Sequence, residues 1–440
     1  MRPTGRLQIG NYFGALQNWV RLQDDPSYDC FYFVADWHAL TSDYADTSAI
    51  AENTLQVAID FLAAGLDPQK SVIFLQSQVP EHAELHLLLS MITPLGWLER
   101  IPTYKEALDN IKNKDLHTYG FLGYPVLQTA DIVIYSKLDE TTGKLLPLFV
   151  PVGEDQVAHV EFSRELVATF NSLYGYEIEF ESWLKEDFEG LRRTIYPRTI
   201  SVSGEPSRPF SVSGKDSKPS SVSGSKGQAQ SDAQSFTIDD VHRRVREEGV
   251  VNVAARMVQN RIDRKYFRVT PVLVEPQVLL TPTPRVPGLD GRKMSKSYGN
   301  AITLSESDAD IRSKTKVMVT DPARKRRTDP GNPDICPVYD WHKLFSTPER
   351  DPDRLDWVQS GCRSAGIGCI ECKAAMAENL INWLEPIRAR RLNYEQHPKR
   401  VLEILDHGSA NARKSAQQTM SRVRESILGW QAKRQGLASR

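Results

Sequence analysis

Long apolar runs and an export signal are both missing from this chain of 440 residues. No stretch approaches the roughly 18 apolar residues that a membrane-spanning helix needs, so we expect no transmembrane segment and no membrane partner. The first residues, MRPTGRLQIGNYFG, lack the apolar core of a secretory signal, which predicts a cytoplasmic location. The net charge of −1 neither indicates nor excludes a nucleic-acid partner, so the distribution of charge matters more than its sum.

Cysteine is scarce, with five residues, and without an export signal these are expected as thiols, ligands or core residues rather than disulfides. Cys30 lies in the apolar run 30–34, which is typical of a buried strand. The other four are close in sequence: Cys336, Cys362, Cys369 and Cys372. Four thiolates suit a tetrahedral zinc ion or a [4Fe–4S] cluster, and their spacing alone does not choose between the two.

The N-terminal third alternates apolar strand-like runs with amphipathic helical stretches. This order predicts an α/β fold with a Rossmann-type parallel sheet. Strands are predicted at 30–35 and 71–76, and a returning strand at 272–280. Parallel sheets of this kind place nucleotides at the carboxyl ends of their strands, so we expect a nucleotide site there.

A serine-rich stretch interrupts the pattern. Ser-Val-Ser-Gly recurs at 201, 211 and 221, and so few apolar groups predict disorder across 196–236. Helical periodicity then returns, which predicts one or two helices. We interpret 179–270 as an insertion of unknown role.

The chain length suggests two or three domains. The catalytic domain is predicted in two parts, 1–178 and 271–304, and 305–440 is predicted as a C-terminal α-helical domain. The end of this domain is basic, with twelve Lys or Arg and four Asp or Glu between Arg388 and Arg440. Solvated helix faces often carry such a surplus, and it is also compatible with a phosphate-backbone partner.

Two segments suit phosphate binding. The run Lys293-Met-Ser-Lys-Ser297 lies between glycines, and ammonium groups on a flexible loop suit closure on phosphates, although a solvated polar loop has similar composition. The opening run, Pro3 to Tyr12, contains two glycines and leads into an amphipathic helix. Backbone N–H groups at such a helix start favour an anionic phosphate.

As a pair, these segments resemble the two ATP-binding signatures of class I aminoacyl-tRNA synthetases. Gln8-Ile9-Gly10-Asn11 is similar to the His-Ile-Gly-His element, with Gln and Asn in the two histidine places. Three more stretches resemble the tryptophanyl branch: Asp36–Thr41, Gln76–His82 and Val150–Gln156. Tyrosyl enzymes carry a Gly-Ser-Asp-Gln version of the last stretch. The resemblance covers most of residues 2–175 and 272–440.

The resemblance implies a homodimeric enzyme that activates L-tryptophan with ATP to tryptophanyl-adenylate and pyrophosphate, with Mg²⁺ assisting, and then transfers tryptophan from the adenylate to tRNA(Trp). Residues 305–440 would bind the anticodon, and no DNA partner is expected. Two alternatives remain open: a tyrosine-specific synthetase, and a synthetase-like paralogue that binds tRNA or nucleotide without charging.

The resemblance also implies residue roles. The catalytic residues would be Lys293, Lys296, Gln8 and Asn11. The ATP-binding residues would be Thr4, Gly10, Asn11, Gly153, Asp155, Lys293, Met294, Ser295 and Lys296. The tryptophan-binding residues would be His38, Tyr124, Gln128, Asp131, Val150, Val152 and Gln156. Asp131 would accept the indole N–H, and a buried carboxylate in that role rejects phenylalanine, which has no such donor.

The resemblance bears on two further features. A subset of bacterial tryptophanyl enzymes carries Cys-x6-Cys-x2-Cys with one upstream cysteine, and Cys336, Cys362, Cys369 and Cys372 are similar to it. This favours an iron–sulfur cluster over zinc or unligated thiols.

Family members also have a first strand before the segment matching Pro3-Thr-Gly, so we expect the natural start to lie upstream of Met1.

Overall fold

The computed structural model describes residues 1–102, 104–105, 116–196, 236–280, 286–347, 349 and 351–438. The chain divides into two compact units. The first consists of Met1–Tyr135, Pro147–Ser163 and Pro276–Gln418, and the second of Ser136–Leu146, Arg164–Glu275 and Thr419–Arg440. The stretch 197–235, where the sequence predicts disorder, lies outside the described residues.

Two pairs of parallel strands lie in the first unit. Strand Cys30–Val34 pairs with Ser71–Leu75, and Phe149–Val152 pairs with Gln277–Leu280. This parallel pairing confirms the predicted α/β fold. The returning strand is shorter than predicted, because the backbone N–H groups of Val272 and Leu273 donate to the Asn171 side chain instead of joining a ladder.

The helices of the described residues are, in chain order, Ile9–Asn11, Gln17–Gln23, Asp36–Asp43, Ile50–Ala64, Glu81–Ser90, Leu95–Leu98, Tyr119–Val133, Val157–Tyr174, Phe180–Glu186, Phe188–Ile195, Ile238–Glu248, Val250–Gln259, Asp308–Lys316, Pro337–Phe345, Arg354–Arg363, Cys369–Gln396, Pro398–Leu428 and Trp430–Ala438. A π-helical turn, Tyr12–Leu16, joins the first two. The helices after residue 305 confirm the predicted C-terminal helical region. None of those that the structure describes is long and apolar enough to cross a membrane.

The core of the first unit joins the start of the chain to the longest C-terminal helices. Phe13 stacks on Trp383 with ring centroids 5.4 Å apart, and Phe345 packs edge-on against Phe13. Gly408 lies against the carbonyl of Ile73 so closely that a Cβ there would overlap it, which fixes the helix Pro398–Leu428 on the strand Ser71–Leu75.

The second unit has a small core of its own. Strand Tyr176–Ile178 pairs antiparallel with Phe267–Val269, and Trp183 is fully buried beside them, with its ring stacked on that of Tyr266. Gly249, at φ +84°, separates two helices. Two helices, Ile238–Glu248 and Val250–Gln259, thus lie where the sequence predicts one or two.

Candidate active site

Asp131 lies at the centre of a buried polar cluster in the first unit. His38 Nε2 lies 2.8 Å from Asp131 Oδ2, and His82 Nδ1 lies 2.6 Å from Oδ1. Gln76 Nε2 donates to both oxygens, at 2.8 and 2.9 Å. The Asp131 side chain is only 4% exposed, and an ionised carboxylate is an acceptor only, so both imidazoles donate to it.

The environment of Asp131 favours its charged form. Burial acts to raise the pKa of this carboxyl, but the hydrogen bonds from His38 and His82 and the charges of both rings outweigh it. The pKa of Asp131 therefore lies well below its usual range. The Asp131 carboxylate is therefore held in its charged form away from water.

The second ring nitrogen of His82 is also hydrogen-bonded. Its Nε2 lies 2.8 Å from the Tyr135 hydroxyl, and His82 is fully buried. Burial, followed by the charges of Asp131 and Glu81, raises the pKa of Tyr135, so the hydroxyl keeps its proton. His82 therefore donates from Nδ1 to Asp131 and shares a second hydrogen bond with the Tyr135 hydroxyl through Nε2.

One helix presents three of the expected tryptophan-binding residues on a single face. Tyr124, Gln128 and Asp131 are four and three residues apart on the helix Tyr119–Val133, which is the spacing of one side of a helix. Thr118 begins this helix by accepting from the Phe121 N–H at 3.2 Å. The Tyr124 hydroxyl lies 2.8 Å from His159 Nε2. Gln128 is half-buried.

A second group of expected residues lies along the strand Phe149–Val152 and the turn after it. Val150, Val152 and Gln156 are half-buried. A 3₁₀ turn, Glu154–Gln156, follows Gly153, and the Gln156 N–H donates to the Gly153 carbonyl at 3.0 Å. This turn brings Asp155 and Gln156 to the carboxyl end of the strand, where the sequence predicts the nucleotide site.

The first signature lies directly against the second. Gln8 Nε2 donates to the Met294 carbonyl at 3.2 Å, and a Cβ on Gly10 would lie 3.6 Å from Met294 Sδ. Asn11 Oδ1 accepts from the Gln8 N–H at 3.0 Å, which closes the first turn of the helix. Gln8 Oε1 is buried and has no donor among the described residues.

The two lysines of the second signature reach different parts of the site. Lys296 Nζ donates to the Thr4 carbonyl at 3.1 Å, beside the turn that contains Gly5. Burial lowers the pKa of Lys296, and the negative charge of Asp60 acts in the opposite direction. Lys293 Nζ lies 3.7 Å from Asp155 Oδ2, and its side chain is 86% exposed.

The buried side chain of Asn300 orders the loop 288–300, which contains Lys293 and Lys296 and is called the lysine loop below. Its Nδ2 donates to Asp290 Oδ1 at 2.7 Å and to the Lys293 carbonyl at 3.2 Å, and its Oδ1 accepts from the Ser295 N–H at 2.7 Å. Gly288 packs against this amide so closely that a Cβ would overlap it. Asn300 is 3% exposed, and the loop is organised around it.

The four clustered cysteines lie at neighbouring helix ends. Cys336 precedes the helix Pro337–Phe345, Cys362 is near the end of Arg354–Arg363, and Cys369 and Cys372 lie in the first turn of Cys369–Gln396. Burial and the charges of the other three thiols raise the pKa of Cys372 to about 12, so the four groups are close enough to interact. Among the described residues, no three His, Cys, Asp or Glu side chains are arranged as metal ligands.

Sequence reasoning missed several residues that shape the site. Gln76 and His82 were recognised as parts of a similar stretch but received no role, although both contact Asp131 directly. Tyr135 and Asn300 received none either. Their positions, at the end of a buried strand and in the first turn of the next helix, are the signal that could have located both residues at the sheet edge, although not their contacts with Asp131.

Known proteins resemble the whole of this chain. A family model described as tRNA synthetases class I (W and Y) matches residues 1–189 and 250–385. The tryptophan–tRNA ligase of Ralstonia nicotianae is 46% identical over 430 residues, which span 97% of this chain and 96% of that protein. The ligase of Thermotoga maritima is 38% identical over 97% of both chains. The crystal structure of Campylobacter jejuni tryptophanyl-tRNA synthetase complexed with ADP and tryptophan matches 97% of this chain and 98% of its own, at 27% identity and a TM-score of 0.64.

The chain therefore belongs to the class I tRNA synthetases of the tryptophan and tyrosine type. Its activity is that of a tryptophan–tRNA ligase.

Proposed function

We propose that Asp131 selects tryptophan in this enzyme by accepting the indole N–H. The support is its buried, ionised carboxylate, held by three donors, on the same helix face as Tyr124 and Gln128. Both oxygens are already engaged, so the indole N–H either adds to a remaining lone pair or displaces the His38 contact. An amino acid without this donor leaves the desolvated carboxylate short of a partner.

We propose that His38, Tyr124, Gln128, Val150, Val152 and Gln156 complete the tryptophan pocket. The half-buried valines supply apolar surface at the carboxyl end of a strand. Gln156 carries an amide that meets the ammonium or carboxylate of the amino acid. These roles place the reacting carboxylate of tryptophan near the two signatures.

On the ATP side, Thr4, Gly10, Asn11, Met294 and Ser295 shape the nucleotide site, and Gly153 and Asp155 lie on its ribose side. Gln8 Oε1 is a buried acceptor without a donor, so it is suited to a donor from ATP. Lys293 and Lys296 stabilise the charge on the phosphoryl oxygens as the tryptophan carboxylate attacks the α-phosphate in line and pyrophosphate leaves. The tryptophanyl group then passes from the adenylate to a ribose hydroxyl of tRNA(Trp).

Mg²⁺ fits this site as an ion carried by ATP. Mg²⁺ usually keeps several waters and is held by phosphates with one or two carboxylates rather than by a protein cage. When bound, Mg²⁺ would neutralise phosphate charge beside Lys293 and Lys296.

The direct test is pyrophosphate exchange with tryptophan and with tyrosine, followed by charging of tRNA(Trp). We expect exchange with tryptophan at least about a hundredfold faster in kcat/KM than with tyrosine, because a site built around one polar contact rejects a poor partner strongly. Exchange with tyrosine alone would overturn the assignment of Asp131. Nucleotide binding without charging would instead identify a non-charging paralogue.

We propose that Cys336, Cys362, Cys369 and Cys372 hold a [4Fe–4S] cluster with a structural role on the tRNA side of the helical domain. The donor set fits, since four thiolates are the usual ligands of such a cluster. The thiols are close enough to influence one another's charge. The described thiols are not arranged as metal ligands in this structure.

Anaerobic purification tests the cluster. We expect about four iron atoms per chain and thiolate-to-iron absorbance in the visible range, both lost in the variant Cys369→Ser/Cys372→Ser. The variant Cys30→Ser is the control, because Cys30 lies in a strand and should leave iron content unchanged. One zinc ion per chain and no visible absorbance would assign the site to zinc, and absence of both metals would end the proposal.

We propose that the enzyme forms a homodimer through an exposed apolar surface of the first unit. Leu87, Leu95 and Tyr119 are 54%, 60% and 67% exposed and lie on the helices Glu81–Ser90, Leu95–Leu98 and Tyr119–Val133, and Met91, directly after the first of these, is 70% exposed. A monomer rarely leaves several large apolar side chains exposed together. Sedimentation equilibrium of Met91→Glu/Leu95→Glu should show a monomer where the parent chain is a dimer, and a monomeric parent chain would contradict the proposal.

The contact between Tyr135 and His82 gives a smaller, specific prediction. Tyr135→Phe removes one hydroxyl and should raise the KM for tryptophan about fivefold, because one buried hydrogen bond is worth about 1 kcal/mol. The KM for ATP should stay the same. Tyr176→Phe is the matched control, since its hydroxyl also faces a histidine, His242, but lies in the second unit. Equal changes in both variants would contradict a role for Tyr135 in the tryptophan site.

A further inference from the structure

A fully buried ion pair lies beneath the first signature. Asp60, on the helix Ile50–Ala64, and Arg391, on Cys369–Gln396, have side chains 0% and 2% exposed. Arg391 Nη1 donates to Asp60 Oδ1, and Nη2 donates to Gln56 Oε1. Apolar residues of similar volume are often as stabilising as a buried ion pair, so fold stability alone gives little reason for this one.

The second oxygen of Asp60 holds the backbone of the first signature. Asp60 Oδ2 accepts from the Leu7 N–H at 2.6 Å. The Leu7 carbonyl accepts in turn from the Leu304 N–H at 2.8 Å, and the Ile9 N–H donates to Ile302. The turn that presents Gln8 is therefore fixed by one carboxylate and by the segment that follows the lysine loop.

Asp60 also acts on the second signature through its charge. The Lys296 ammonium reaches the Thr4 carbonyl close to this carboxylate, and the charge of Asp60 acts to raise the pKa of Lys296. The Arg391 guanidinium neutralises Asp60 from the opposite side. Burial raises the pKa of Asp60 to about 6, and the charge of Arg391 acts against that rise. If Arg391 is removed, the carboxyl keeps the Leu7 N–H and the charge of Arg6, and it must either draw the Lys296 ammonium closer or take up a proton.

We propose that Asp60 and Arg391 are a positioning pair that sets the affinity for ATP, because together they hold the Leu7–Gln8 backbone and balance the charge felt by Lys296. This inference rests on the proposed roles of Gln8 and Lys296 in ATP binding. Arg391 belongs to the helix whose first turn carries Cys369 and Cys372. The pair is thus a contact by which this long C-terminal helix acts on the ATP site.

The experiment measures pyrophosphate exchange with the full chain and determines the KM for ATP and for tryptophan separately. Arg391→Met should raise the KM for ATP about tenfold while the KM for tryptophan changes less than about twofold. Arg390→Met is the matched control: Arg390 donates to the Ala63 carbonyl at 2.7 Å, on the same helix as Asp60, without touching Asp60. It should leave both constants unchanged.

The double variant Asp60→Asn/Arg391→Met separates charge from packing. It removes both charges and keeps an amide oxygen that can accept from Leu7, so its KM for ATP should recover to within about threefold of the parent chain. No recovery in the double variant would overturn the pair, as would equal rises in both KM values for Arg391→Met. If Arg391→Met does not fold, Arg391→Lys replaces it. A smaller rise in the KM for ATP supports the pair, and an unchanged value overturns it.

One further variant distinguishes a failure of the positioning pair from a failure of the proposed ATP site. Lys296→Ala tests whether the lysine loop serves ATP at all. If Lys296→Ala exchanges normally, the assignment of the ATP site is wrong. If it loses exchange while Arg391→Met keeps the parent KM for ATP, only the positioning pair is wrong.

Discussion

Asp131→Asn is expected to lower kcat/KM for tryptophan in pyrophosphate exchange by about a thousandfold, because a site built around one buried polar contact discriminates by that order or more. The substitution removes the negative charge that His38, Gln76 and His82 contact. The new NH₂ group is itself a donor, so at least one of those three donors then faces it and has no acceptor. The KM for ATP should remain close to that of the parent chain. A loss shared equally between the two substrates would show that Asp131 supports the fold rather than the indole.

A substrate analogue makes this prediction sharper. A tryptophan isostere with sulfur in place of the indole N–H has the same shape and no donor. The parent enzyme should reject it strongly, whereas Asp131→Asn should discriminate much less between it and tryptophan. If the parent enzyme and Asp131→Asn reject the analogue equally, Asp131 does not recognise the indole N–H.

The lowered pKa of Asp131 also predicts a pH dependence of stability. A carboxyl whose pKa falls on folding contributes stability that is fully present above its unfolded pKa and is lost as the pH falls through the folded pKa. For Asp131 this window lies below the ordinary range of an aspartate. The difference in free energy of unfolding between the parent chain and Asp131→Asn should therefore be constant near neutrality and shrink only in acid, as urea titrations at several pH values would measure.

Lys296→Ala is expected to lower kcat for pyrophosphate exchange by about two to three orders of magnitude, which is typical of the loss of one group that stabilises transition-state charge. The ammonium already lies at the Thr4 carbonyl, beside the first signature, so little movement is needed to reach the phosphates. The KM for tryptophan should change little. Single-turnover formation of the adenylate measures the same step without product release.

Arg292→Ala is the control for this prediction. Arg292 lies in the same loop and carries the same charge, but its side chain pairs with Asp290 and lies over the Tyr298 ring. Its removal should cost less than about threefold, since exposed ion pairs contribute little. If both variants lost the same activity, the loop as a whole rather than Lys296 would carry the effect.

The sequence predicted the parts of the fold that depend on local pattern. The apolar runs 30–35 and 71–76 became parallel strands because each can be buried on both faces. The helix end at Gly249 was not predicted, although a glycine can take the positive φ found there, which other residues avoid. Pro125 is different, since it lies inside the helix Tyr119–Val133, where the cap at Thr118 and neighbouring packing override its low helix propensity.

The contacts around the site depend on distant pairings and could not be read from spacing. Gln76 and His82 meet Asp131 only because a strand end and two helices converge, at separations of 55 and 49 residues. Asp60 meets Leu7 at a separation of 53 residues and Arg391 at a separation of 331. No periodicity encodes these contacts, because each depends on tertiary packing. The residue roles taken from the family resemblance remain predictions.

Asn300 determines when the entropic cost of ordering the lysine loop arises. Three hydrogen bonds from one buried amide order Asp290, Lys293 and Ser295 before any nucleotide arrives. The conformational entropy of this backbone is therefore lost when the chain folds, and its loss does not reduce the affinity for ATP. The binding energy of the triphosphate is left available for moving an already shaped loop and for stabilising the charge that develops in the reaction.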